Sequence, residues 1–227
     1  MAKKILSKKA LDIGYFTNDL EETLLFWRQE IGLAFEEPVR FNDGLTQYRH
    51  RLRNTIVKIN TSQNELRDPP SGYGEVLIAW ENIERPRSLT DPDGNLVTLV
   101  PKGHLGIVDT AIKISVRELD KQNRFYLNVM GFEQVGDNSF RSGDCILFTE
   151  ETEQSEPSGH WINYGFRYIT LHVHDVDHTF GELVSDGAKI GERPYAIRDI
   201  AKISFIRDPF GNWIEVAQRA SLTGKWK

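Results

Sequence analysis

Apolar and polar residues alternate with a period of two from Asp12 to Thr17. Ile13, Tyr15 and Thr17 fall on one face and Asp12, Gly14 and Phe16 on the other, which predicts a strand with two different surroundings. The period then changes. Asn18-Asp19 can cap a helix whose apolar stripe is Leu20, Leu24, Trp27 and Ile31, ended by Gly32. Three further strands follow at 33–40, 46–53 and 55–61, with Asn42-Asp43-Gly44 as the turn between the first two.

The same order recurs from Ala111 and from Tyr168. The first of these copies has a strand at 111–116, a helix carrying Leu119, Phe125, Tyr126 and Val129 up to Gly131, and a closing strand at 145–150. The second has a strand at 168–173, a helix carrying Val176, Phe180, Leu183 and Val184 up to Gly187, and a final strand at 213–217. A shortened copy begins at Glu75. Its opening position precedes Thr98 by 98 − 75 = 23 residues, against 215 − 168 = 47 in the last copy, so about one helix and one strand are missing.

Two near-identical turns underline the duplication. Asp91-Pro92-Asp93-Gly94-Asn95 and Asp208-Pro209-Phe210-Gly211-Asn212 each run into a strand, and Thr98 and Glu215 stand at the same offset (98 − 91 = 7, 215 − 208 = 7). Pro and Gly set the φ angles of such a turn, so its role is structural. Segments 64–74, with Pro69-Pro70-Ser71-Gly72, 101–108 and the acidic 151–165 read as linkers.

With 227 residues, 39% hydrophobic and 27% charged, the chain has the composition of a globular protein. The N-terminal Met1-Ala2-Lys3-Lys4-Ile5-Leu6 has no apolar signal region, and no apolar run reaches the roughly 18 residues needed to span a bilayer. A cytoplasmic protein is expected. Cys145 is the single cysteine, which excludes an internal disulfide and a cysteine-cluster metal site. A net charge of −5 without a basic stripe argues against nucleic acid or an anionic membrane as partner. A small-molecule ligand remains.

The strand ending before a helix with Phe-Trp or Phe-Tyr, the Gly-Leu-Ala-Phe or Gly-Phe after it, and Asp-Pro-x-Gly-Asn before a strand resemble the vicinal oxygen chelate superfamily. That superfamily includes glyoxalase I, bleomycin and fosfomycin resistance proteins, and extradiol dioxygenases. The resemblance implies an α+β fold of four βαβββ modules paired into two half-open β-barrels, the second module truncated. Taken in chain order, the modules give domains 1–102 and 103–227. The family's metal ligands stand at the first residue of each opening strand and at an acid on each final strand.

Transferred residue by residue, the opening positions are Asp12, Glu75, Ala111 and Tyr168, and the final-strand positions are Lys58, Thr98, Phe148 and Glu215. None is His or Gln. Grouped by chain order, one cleft holds Asp12, Lys58, Glu75 and Thr98, with Tyr48 and His50 on an adjacent strand. The other holds Ala111, Phe148, Tyr168 and Glu215, with His172 on the face of Tyr168. Lys113 shares the face of Ala111, with Glu215 or Glu150 as partner. A divalent metal needs about three protein ligands, and Glu215 alone is too few, so no cofactor is expected, with iron, manganese or zinc as the alternative.

In the first cleft, Asp12 or Glu75 can act as general base and Lys58 as stabiliser of an oxyanion, with His50 there and His172 in the other cleft as further acid–base candidates. An inert ion-pair network is the competing reading. Tyr48, Thr98, Phe148, Tyr168 and Trp213 are the candidate substrate-binding residues, the aromatic ones suited to an apolar or aromatic ligand. Three functions follow. The first is a superfamily enzyme acting on a small oxygenated, apolar or aromatic metabolite by proton abstraction, isomerisation or lyase chemistry, with the metal role replaced. The others are a metal-dependent extradiol dioxygenase or glyoxalase, and a non-catalytic ligand-binding or resistance protein. The truncated module leaves a sheet edge that a second copy of the chain could cover as a homodimer.

Overall fold

A computed structural model describes residues 6–41, 44–67, 71–153 and 159–226. The turn residues Asn42-Asp43, the prolines Pro69-Pro70, the terminal Met1–Ile5 segment and 154–158 of the acidic linker lie outside the described residues.

The first module comprises β1 (Asp12–Phe16), α1 (Leu20–Leu25), two short strands β2 (Ala34–Phe35) and β3 (Val39–Arg40) interrupted at Pro38, β4 (Thr46–Leu52) and β5 (Thr55–Thr61). The Asp19 carboxylate accepts from the Glu22 amide and caps α1. The helix then widens into a π-type turn over Phe26–Glu30 before Gly32, at φ +81°, releases the chain. The second module has β6 (Tyr73–Trp80), β7 (Arg87–Thr90) and β8 (Leu96–Pro101), without helix or fourth strand. The third repeats the first, with β9 (Thr110–Val116), α2 (Leu119–Arg124) widening over Phe125–Val129, β10 (Glu133–Gly136), β11 (Ser139–Ser142) and β12 (Cys145–Glu151). The fourth has β13 (Gly165–His172), α3 (Val176–Ser185), β14 (Lys189–Ile197), β15 (Ala201–Arg207) and β16 (Trp213–Arg219), followed by the short α4 (Ala220–Thr223).

These modules build two sheets. The larger runs β14-β15-β16-β13-β1-β5-β4-β2, with β3 on β4, and the smaller runs β10-β11-β12-β9-β6-β8-β7. The first module therefore shares a sheet with the fourth, and the second with the third. This differs from the grouping 1–102 and 103–227 read from chain order. Alternation fixes which face of a strand is buried but not which strand lies beside it. Here the opening strands make the joins: β1 pairs antiparallel with β13, and β6 with β9.

The faces expected to be buried meet in one core. Ile13, Tyr15, Ile169 and Leu171 from the larger sheet and Val76, Ile78, Ile112 and Ile114 from the smaller pack in the same cluster as Trp27, Phe125, Tyr126 and Phe180 of the helical segments. The opposite faces carry separate clusters, one around Tyr168, Phe205 and Trp213 and one around Leu77, Ala111 and Ile146.

The repeated turns close as expected. Asp208 Oδ1 accepts from the amides of Phe210 and Asn212, both at 2.9 Å, and Asp91 Oδ1 accepts from those of Asp93 and Asn95 at 3.0 and 2.7 Å. The turns also join the sheets. Gln122 Nε2 donates to Asp208 Oδ2 at 3.0 Å, and Tyr15 donates its phenolic proton to Asp93. Asp208 is fully buried, so replacing it with Ala strands two turn amides and the Gln122 amide. We expect Asp208→Ala to cost about 3 kcal/mol of stability in urea unfolding, and Asp208→Asn, which keeps an acceptor, to cost less.

Candidate functional site

The β1–β13 junction decides which residues meet. Asp12 lies opposite Thr170 and Gly14 opposite Tyr168. Parallel pairing then sets Lys58 beside Gly14 and Glu215 beside Thr170. The four ligand-position residues of this cleft are therefore Asp12, Lys58, Tyr168 and Glu215, two from each end of the chain. Glu75, Thr98, Ala111 and Phe148 assemble in the other sheet, where Leu77 pairs with both Ala111 and Thr98, and Lys113 with Phe148.

Lys58 Nζ lies 2.6 Å from Glu215 Oε2 and 2.7 Å from Thr170 Oγ1. Thr170 donates to the same Glu215 oxygen at 2.5 Å. All three residues are buried. Both contacts to Glu215 use Oε2, so Oε1 has no hydrogen-bond partner among the described residues. The third direction of the ammonium faces Asp12 Oδ2 at 3.9 Å, which leaves one N–H only loosely engaged.

Asp12 is bound on several sides. His172 Nε2 is 2.7 Å from Oδ2, the Ile56 amide donates to Oδ1 at 2.9 Å, and Lys8 pairs with Oδ1. Burial opposes ionisation of Asp12, but the His172 hydrogen bond and the charges of Lys58 and Lys8 outweigh it and hold the carboxyl well below its usual range. Burial lowers the pKa of His172 despite Asp12, so its imidazole is neutral and donates Nε2–H, leaving buried Nδ1 without a partner. Asp12 is thus saturated, and it stands with His172 behind Lys58.

Beside Glu215 a cavity of about 240 Å³ opens, walled by Phe41, Trp161, Tyr168, Tyr195 and Phe205, with Gln47, Asn60 and Arg198 among its polar lining. Trp161 stacks on Phe205 with centroids 4.7 Å apart and meets Tyr168 edge-on at 5.9 Å. Lys58 Nζ lies 5.5 Å from the Tyr168 ring centroid. Tyr168 owes its position to Gly14, since a Cβ there would come within 2.2 Å of the phenol ring. Burial and the neighbouring Glu215 raise the Tyr168 pKa, so the phenol stays neutral.

Several sequence-predicted residues stand elsewhere. Tyr48 and His50 face the helical side: Tyr48 packs on the main core, and His50 accepts from Arg28 Nε at 3.4 Å beside Phe35. The residue of β4 opposite Lys58 is Arg49, and Gln47 and Arg49 are the β4 residues on the cavity. Glu75 takes hydrogen bonds from Thr98 (2.5 Å) and Lys113 (2.8 Å) in the smaller sheet. Lys113 pairs there with Glu75 and Glu150, not Glu215. Phe148 packs with Leu77, Ala111 and Ile146, away from the aromatic wall, while Trp213 stays with Tyr168 and Phe205. Asn60, Arg49 and Arg219 were missed, and Thr170, which shares the face of Tyr168 and His172, was given no role. Thr170 and Asn60 lie two residues from Tyr168 and Lys58, and Arg219 four from Glu215, so period-two counting from the assigned positions would have found them.

The donor set does not fit the divalent metal that the resemblance implies. An ammonium stands at one of the four ligand positions and is bonded to the single acid on a final strand, while Asp12 is saturated by His172, Lys8 and an amide. Among the described residues no group of three or more His, Cys, Asp or Glu is placed to hold a metal ion.

The fold is that of the vicinal oxygen chelate class. Residues 106–216 match the family model of the Glyoxalase/Bleomycin resistance protein/Dioxygenase superfamily. A probable lactoylglutathione lyase from Synechocystis is 28% identical over 121 residues, 48% of this chain and 92% of that protein. Among solved structures, glyoxalase I from Zea mays superposes with a TM-score of 0.70 at 16% identity, covering 92% of each chain. A putative dioxygenase from Bacillus subtilis superposes with 0.70 at 17%, covering 96% of this chain and 86% of its own. The family match is carried by residues 106–216, and the two solved structures share the fold over nearly the whole chain. Among the described residues no helix is long and apolar enough to cross a membrane.

Two measurements probe the site's electrostatics. Lys58→Met leaves Glu215 buried beside a lost partner and should cost about 3–5 kcal/mol in urea unfolding, whereas Lys58→Met combined with Glu215→Met should recover most of that loss. Burial, with Arg28 nearby, lowers the His50 pKa to about 4. The unfolded chain therefore takes up a proton at His50 from about pH 6.5 downward while the folded chain does not until about pH 4. Stability should be fully present above that window and fall through it by a few kcal/mol, with the depressed His172 adding to the fall. In His50→Phe the slope of unfolding free energy against pH across this window should be shallower.

Proposed function

We propose that the cleft between the first and fourth modules is the active site of an enzyme that moves a proton on a small oxygenated molecule with an apolar or aromatic body. The ammonium of Lys58 replaces the metal charge. Asp12 and His172 act as positioning residues behind it. The observation that carries the reading is the 2.6 Å contact of Lys58 Nζ with Glu215 Oε2 at two family ligand positions, beside an aromatic cavity.

A substrate carbonyl oxygen takes the loosely used N–H of Lys58, and Glu215 Oε1 faces the carbon next to that carbonyl. The C–H bond breaks, its proton goes to Glu215, and its electron pair forms the C=C of an enolate whose oxygen is stabilised by Lys58. Where the deprotonated carbon bears a hydroxyl group, return of the proton to the former carbonyl carbon, with the hydroxyl proton passing to the enolate oxygen, completes an isomerisation; where the next carbon bears a leaving group, its departure with the bonding electrons completes an elimination. Glu215 takes the base role assigned in the sequence to Asp12 or Glu75, because Asp12 is saturated and Glu75 is in the other sheet.

The test is exchange of substrate C–H for deuterium in heavy water, followed by proton NMR, with protein prepared in EDTA and a panel of aryl ketones and aryl 2-oxo acids. Exchange should persist in EDTA and fall by at least ~100-fold in Glu215→Gln and in Lys58→Met. Exchange that requires added iron, manganese or zinc, or that is unchanged in Glu215→Gln, would overturn the reading. The aromatic lining also favours a non-catalytic binding protein; saturable binding without exchange on any panel member selects that reading.

A further inference from the structure

A second, smaller cavity of about 60 Å³ shares Phe41, Gln47, Ile197, Ile203 and Glu215 with the aromatic one, so the two are ends of a single space. Its charged wall consists of Arg49, Lys58, Arg219 and Glu215, with neutral His172. Lys58 and Glu215 satisfy each other, which leaves two guanidinium groups. Arg49 is only 8% exposed, its Nε is buried without a partner, and its one ion pair is a long 3.5 Å contact to Glu36, which Arg51 holds more closely. The Arg219 side chain has no hydrogen bond or ion pair among the described residues.

Arg49, with one long ion pair, and Arg219, with none among the described residues, both line this half-open cavity, and holding two like charges there is costly. Burial and the like charge of Arg219 disfavour the charged form of Arg49, a cost that an anion between them would remove. The planar fork of an arginine matches a carboxylate through two parallel N–H···O bonds.

We infer that the ligand is an organic acid, with its carboxylate held by Arg49 and Arg219 at the small end and its aromatic or apolar body in the larger cavity. The inference rests on the first-and-fourth-module cleft being the ligand site. It narrows the substrate from an oxygenated apolar molecule to a monocarboxylate whose reacting carbon sits at Glu215, where the two ends meet. The acid group serves to anchor. The reacting oxygen is a second one, directed to Lys58.

The test is calorimetric titration of the intact chain with phenylacetate and 3-phenylpropanoate, with the matched amides and with benzylphosphonate. The acids should bind at least about tenfold more tightly than their amides, a difference that charge-assisted bonds readily supply. Arg219→Gln, at a partly exposed position, should abolish that preference, and Arg49→Gln should do the same. Equal binding of acids and amides, a preference that survives Arg219→Gln, phosphonate binding in place of carboxylate, or no binding by any probe would overturn the inference. Acid preference without proton exchange would remove the catalytic reading and leave this one standing. Exchange on aryl ketones with acids and amides bound alike would do the reverse.

Discussion

The antiparallel join of β1 with β13 is the constraint from which the site follows. It brings together strands more than 150 residues apart and places a two-fold relation between the first and fourth modules, with Asp12 opposite Thr170 and Gly14 opposite Tyr168. Each opening strand carries its own final strand alongside in parallel, so Lys58 and Glu215 arrive on either side of the join. Gly14 makes the approach possible, because the Tyr168 ring fills the space a side chain would need. A buried lysine–glutamate pair is poor material for stability, since the desolvation of two ions offsets much of their attraction. Its retention at the base of a cavity, with Thr170 bridging both partners, fits a role in chemistry or recognition better than one in folding.

The second sheet shows the same scaffold with different surroundings at the equivalent positions. Glu75 also pairs with a lysine there, but Lys113 is one-third exposed and comes from the neighbouring opening strand, where water screens the pair. Leu77, Val100, Ile107, Ala111 and Ile146 cover the rest of that face with apolar contacts. Ile107, from the connection between the second and third modules, is fully buried in this cluster. A duplicated architecture has thus diverged into a filled face and an open one. Glu75 and Glu215 share a residue type but differ in what surrounds them.

Local pattern carried most of the fold in the sequence. The period of two identified the buried faces correctly, as Ile13/Tyr15 and Ile169/Leu171 show, and the Asp-Pro-x-Gly-Asn turns and helix-ending glycines marked the module limits. The grouping of the family positions was not legible, because it depends on which module lies beside which, and no local signal in residues 64–74 or 101–108 reports that the chain changes sheets there. This separated Lys58 from Glu215 in the sequence reading and joined it to Glu75. The face of β4 failed for a different reason. Tyr48, His50 and Leu52 form one alternation class and Gln47, Arg49 and Arg51 the other. The second class looks like a solvent face until the antiparallel register sets Arg49 against Lys58.

A lysine and a divalent metal offer a cleft different things. A divalent cation accepts lone pairs from several oxygens at once, whereas an ammonium supplies a single charge through three directional N–H bonds. Two of these are committed to Thr170 and Glu215. The remaining N–H can engage one oxygen, so additional negative charge on a ligand must be met elsewhere in the cavity. Arg49 and Arg219 stand where that charge would fall, across Glu215 from the aromatic wall. In the proposed binding mode the aromatic end holds the body, the arginine end fixes orientation, and Glu215, common to both, has one carboxylate oxygen without a hydrogen-bond partner among the described residues. In that division of labour the lysine need only stabilise the charge that develops during reaction, because the charge present in the ground state already has its own partners.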